Sequence, residues 1–82
     1  MYEVIHRRAF DGHGAGWVFN CPAAPGIDGG ARTYDASVDA AKHAARHYLS
    51  RVAGRPVALG EAGRHLRHRR DVAHPVGSRA RG

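Results

Sequence analysis

Thr33-Tyr34-Asp35-Ala36-Ser37-Val38-Asp39-Ala40-Ala41-Lys42-His43-Ala44-Ala45-Arg46-His47-Tyr48-Leu49-Ser50-Arg51-Val52 is the stretch whose periodicity decides the fold. Tyr34, Val38, Ala41, Ala45, Tyr48, Leu49 and Val52 recur at steps of three and four, which gathers them into one stripe about 100° wide. Such a stripe predicts a helix over 34–52 that lies on a sheet and keeps its far side in water. Thr33 is placed to cap the first turn with its hydroxyl, and Asp35 favours the positive end of the helix dipole. Gly54 followed by Pro56 supplies a stop.

Upstream the period falls to two. Residues 2–9 put Tyr2, Val4 and His6 on one side of an extended chain and Glu3, Ile5 and Arg7 on the other, a first strand. Phe10-Asp11-Gly12-His13-Gly14-Ala15 has the composition of a hairpin loop. Gly16 to Cys21 alternates Trp17, Phe19 and Cys21 against Val18 and Asn20, and its aromatic content favours a second strand. Pro22-Ala23-Ala24-Pro25-Gly26 must leave the sheet, and Pro25-Gly26 suits a type II turn. A short third strand over about 27–31 then returns along the second.

Downstream the signal fades. Val57-Ala58-Leu59 allows a brief fourth strand before Gly60-Glu61-Ala62-Gly63 interrupts any pattern. Residues 60–82 offer only Leu66, Val72 and Val76 as large apolar groups. The expected organisation is therefore an α+β domain over 1–59, ordered β-β-β-α-(β), and a basic, disordered tail over 60–82. An 82-residue chain has room for one domain, which withdraws only about 60% of its unfolded surface from water. Marginal stability of so small a core predicts self-association, most simply a homodimer. Residues from about 62 onward are expected to be mobile and removable without loss of the fold.

The formal charge is +6, of which two units fall on residues 1–59 and four on residues 60–82. Arg64, Arg67, Arg69 and Arg70 are the candidate nucleic-acid contacts, suited to phosphates and weak in sequence selectivity. A composition rich in Arg, Ala and Gly also arises from GC-rich coding sequence with no binding role. Trp17 is the candidate anchor for a protein partner, set against a structural place in the core.

Catalytic and metal patterns are weak. His43 and His47 stand four apart on the polar side of the helix with only Asp39 near them, and His65-x-x-His68 lacks cysteine partners, so no metal site is expected. Cys21 beside Pro22 reads as a small packed residue. Asp11, Asp28, Asp35 and Asp39 are scattered over loops and a helix start, unlike the clustered carboxylates of a two-metal hydrolase. Gly12-x-Gly14-x-Gly16 precedes a strand, whereas a phosphate-binding loop requires a helix. The reading is a binding protein, with no catalytic residues and no cofactor. One cysteine gives no internal disulfide, the start lacks a signal-peptide core, and no apolar run approaches about 20 residues, so the expectation is a cytoplasmic protein that does not enter a membrane.

Gly16-Trp17-Val18, Pro22, Pro25-Gly26-Ile27, Thr33 and the run Ala41 to Tyr48-Leu49, taken in this order, resemble the HicB-like antitoxin family over residues 2–59. The resemblance implies a β-β-β-α-β domain similar to a trimmed ribonuclease H fold without its catalytic carboxylates. It further implies a non-catalytic partner that binds a small, basic, HicA-like ribonuclease toxin and masks its active site. Ala31 stands where the family often has glycine, Ala36 where it often has an acidic residue, and the basic charge would oppose a basic toxin. No ribbon-helix-helix or helix-turn-helix segment follows residue 59. The alternative reading is a small nucleic-acid-binding protein that uses its Arg-rich tail.

Overall fold

The computed structural model describes the backbone of residues 1–11 and 14–76 and the side chains of residues 1–10 and 14–71. Three strands, β1 (Tyr2–Asp11), β2 (Gly14–Asn20) and β3 (Asp28–Ala31), precede the long helix α1 (Tyr34–Ala53), the short helix α2 (Leu59–Arg64) and a last strand, β4 (Leu66–Val76). The fold is α+β, with one four-stranded sheet in the order β3-β2-β1-β4. β1 and β2 are antiparallel, as are β2 and β3, whereas β4 runs parallel to β1 from the pair Tyr2 and Leu66 onward.

Local chemistry bounds α1 as its flanking residues suggest. Thr33 Oγ1 accepts from the Ala36 amide at 3.1 Å. At the other end Gly54 adopts a left-handed φ of 70° and donates to the Ser50 carbonyl, the geometry that glycine enters without a Cβ penalty. The Ser50 hydroxyl then accepts from the Val57 amide at 3.0 Å, holding the chain as it turns back beneath the sheet.

The core lies between α1 and one sheet face and is built from Val4, Phe19, Cys21, Ala24, Ile27, Ala41, Ala45, Val57, Ala62 and Leu66. Ala41 and Ala45 are fully buried, and so is Ser37, so the contact line of α1 runs through small residues that let the helix approach closely. Val52, a stripe position by periodicity, is 66% exposed, and Val38 is only half-buried. The stripe is rotated toward Ser37 because a buried polar group on the sheet claims that hydroxyl.

Three expectations need correction. The fourth strand is not Val57 to Leu59: Val57 is buried in irregular chain and Leu59 opens α2. Pro25-Gly26 sits at the centre of a turn closed by the Ile27 amide on the Ala24 carbonyl at 2.8 Å, but Gly26 is not among the residues of positive φ, so the turn is not type II. Glycine is useful there for another reason, since a Cβ would stand 3.2 Å from the Tyr48 ring. Most consequentially, residues 59–76 are not a disordered tail. They form α2 and β4, burying Ala62 and Leu66, because alternate residues of a segment poor in aliphatic side chains face the helix as Leu66, His68 and Arg70. Residues 77–82, including Arg79 and Arg81, lie outside the described part.

β3 is unusually poor in side chains because Phe19 occupies their space. A Cβ on Gly29 would lie 2.9 Å from the end of the Phe19 ring. Gly29→Ala should cost about 1–3 kcal/mol by overpacking, read as a lowered urea midpoint, whereas Gly60→Ala, with nothing within 4 Å of the added carbon, should cost nothing comparable.

Candidate functional site

Register places the singled-out residues on two different faces. Arg8 pairs with Trp17, His6 with Phe19 and Arg70, and Val4 with His68, so these alternate positions share the face that carries α1. Arg67 and Arg69 pair with Glu3 and Ile5 and belong to the opposite, uncovered face. Arg64 ends α2. The four arginines therefore do not form one patch.

What the fold does bring together is Trp17 and Arg70. The Arg70 guanidinium lies 5.1 Å from the Trp17 ring and 4.8 Å from that of Tyr34, and the two rings meet edge to face at 5.2 Å. Arg8 stacks on Phe10 at 5.5 Å, with Phe10 42% exposed. Beyond the first turn of α1, this face thus presents guanidinium groups laid on aromatic rings, contacts worth about 0.5–1 kcal/mol each at exposed sites. Trp17 itself is only 8% exposed. Its ring is the support under Arg70 and not a free anchor.

Beneath the shelf lies a buried polar chain that sequence reasoning passed over. The His6 ring, fully buried, bonds through Nδ1 to Ser37 Oγ at 2.6 Å and through Nε2 to His68 Nδ1 at 2.8 Å. Burial, with His68 beside it, holds the His6 imidazole down at about 4, below its ordinary 6.5. Burial and the nearby Lys42 ammonium also lower His68. His6 is therefore neutral near pH 7, one ring nitrogen donating and the other accepting. The available signal was its alternation with Tyr2 and Val4, which put a histidine on an inward face.

The remaining candidates separate. Cys21 is buried and free. His43 Nε2 lies 3.7 Å from Asp39 on the exposed side of α1, and His47 and His65 are exposed. Among the described residues no three His, Cys, Asp or Glu side chains gather as a metal site, and no helix is long and apolar enough to cross a membrane.

The uncovered face is balanced in charge. Arg7 donates to Asn20 Oδ1 at 3.0 Å and pairs with Asp71 at 3.4 Å, above Ile5, which these neighbours leave only 8% exposed. By register, Glu3, Asp28 and Asp71 share this face with Arg7, Arg67 and Arg69. No family model matches this chain, and the searches of curated proteins and of solved structures likewise return no match.

Proposed function

We propose that the chain is a non-catalytic binding protein of the HicB-like type, which takes a small ribonuclease toxin onto its uncovered sheet face. The observation that carries this reading is the layout of residues 2–59: three antiparallel strands followed by a long helix on one sheet face, which is the β-β-β-α part of the arrangement that the resemblance implies. The distribution of charge supports it. Among the described residues the excess of cations sits on the helix side, while the opposite face sets Glu3, Asp28 and Asp71 against Arg7, Arg67 and Arg69, so a basic partner approaching that face meets little local repulsion.

Purification of the chain from its native host, with and without nuclease treatment, tests the reading. The expected result is a small protein in stoichiometric amount that survives nuclease treatment and cleaves RNA only after the two are separated. Co-elution of nucleic acid alone, lost on nuclease treatment, would replace this reading with a second one. That second reading is nucleic-acid binding, and the shelf of Arg8 on Phe10 and Arg70 on Trp17 and Tyr34 favours it, because guanidinium groups over aromatic rings suit phosphates and stacked bases.

A further inference from the structure

Between α1, α2 and β4 lies a groove of about 340 Å³ lined by Val38, Lys42, Gly60, Gly63, Arg64 and His68. Its walls carry two fixed cations and one imidazole. The acids nearest in sequence are engaged elsewhere, Asp39 with His43 at 3.7 Å and Glu61 with Arg55 at 3.2 Å. The two glycines shape the groove. Gly60 leaves open space, and at Gly63 the missing Cβ lets the Lys42 stem lie close, its Cδ 3.0 Å from where that carbon would stand.

His68 is the part that makes this more than a charged surface. Its Nδ1 is held by His6 Nε2 at 2.8 Å, and His6 Nδ1 is held by Ser37 Oγ at 2.6 Å. With the Ser37 hydroxyl donating to His6 Nδ1, His6 Nε2–H donates to His68 Nδ1, and the His68 proton then sits on Nε2, the ring nitrogen left for the groove. In that tautomer the relay leaves a neutral N–H donor on the groove wall beside an ammonium and a guanidinium, three groups that all donate.

We propose that this groove is a binding site for a phosphate oxyanion, held by Lys42, Arg64 and the Nε2–H of His68. A tetrahedral anion has acceptors for all three donors, and a cation would find none. Phosphate binding does not depend on whether the uncovered sheet face takes a toxin, since the two surfaces lie on opposite sides of the sheet.

The test is a titration of the full chain with inorganic phosphate at constant ionic strength, made up with chloride, while the histidine ring nitrogens are followed by NMR. Phosphate should fix His68 as the Nε2–H tautomer and move its titration midpoint upward, leaving exposed His43 unmoved. Lys42→Gln and Arg64→Gln each change a residue at the groove wall and should each weaken binding about tenfold, as loss of one charge-assisted hydrogen bond does. A thymidine dinucleotide with and without a 5′-phosphate separates the sources: a response to the phosphorylated form alone assigns a terminal phosphate, and equal responses assign a backbone diester. A His68 signal indifferent to inorganic phosphate, or one that responds equally in both variants, would overturn the site.

Discussion

A chain ended at residue 61 should lose its cooperative unfolding transition altogether. This outcome is the reverse of what a dispensable basic tail would give. The cut removes β4 and half of α2, and with them the buried Ala62 and Leu66. Burying one leucine side chain contributes about 1.5–3 kcal/mol, and β1 would in addition lose its whole parallel partner and become an open edge. His6 would lose the His68 ring and face water or an unsatisfied nitrogen. A domain of this size has only about 4–12 kcal/mol in all, so these losses together are comparable with its whole stability. Near-ultraviolet circular dichroism and a urea melt read the result, with a chain ended at residue 76 as the control that retains β4. A cooperative transition in the shorter chain at the control's midpoint would show that β4 is not part of the folding unit.

Residues 59–76 escape a hydrophobic-pattern reading for a physical reason that particular residues make plain. The helix stood out because seven apolar positions repeat at helical spacing between a Thr cap and a Gly stop, and α1 spans Tyr34–Ala53. β1 and β2 stand out because their inward residues Tyr2, Val4, Trp17 and Phe19 are aromatic or aliphatic, whereas β3 brings only Gly29 and Ala31 to that face and is marked by the turn before it. β4 has the same period of two, but its helix-side residues after Leu66 are His68, half-buried against His6, and Arg70, exposed and stacked on the Trp17 and Tyr34 rings. Polar residues matched to distant partners carry no signature that a hydrophobic pattern reveals. α2 was hidden likewise: Leu59-Gly60-Glu61-Ala62-Gly63-Arg64 contains two poor helix formers, and only the tertiary burial of Ala62 gives it a reason to coil. The candidate site was legible in its members and not in their grouping. Trp17 and Arg70 were each singled out, yet their stacking required the strand order β2-β1-β4.

The second large effect is acid destabilisation through His6. Its imidazole titrates at about 4 in the folded chain against an ordinary 6.5, so the folded state prefers the neutral ring. A depressed folded value means that this stabilisation is complete above pH 6.5 and is lost as the pH falls toward 4. The span corresponds to about 3 kcal/mol. His68, shifted in the same direction, adds to the loss. The groups facing the pair reinforce it, because Ser37, Tyr34 and Phe19 carry no charge to balance a proton, and the flanking charges are the cations Lys42 and Arg70. Urea midpoints measured from pH 7.5 to 4.5 should fall steeply in the native chain. In His6→Gln, which keeps an amide donor and acceptor without a titrating ring, the starting stability should be lower and the dependence on pH much flatter. A native chain equally stable across that range would rule out a neutral, buried His6.

The parallel pairing of β1 with β4 also governs when the fold can form. Hairpins β1-β2 and β2-β3 close over short loops and can assemble early, but the pair Tyr2 and Leu66 joins residues from nearly opposite ends of the folded unit. Loop-closure entropy must be met before that contact stabilises anything, which places this domain among the slower folders for its size. During synthesis the early hairpins therefore wait, with the outer edge of β1 unpaired, until the last strand has emerged. Over that interval β1 is the strand open to pairing with another chain.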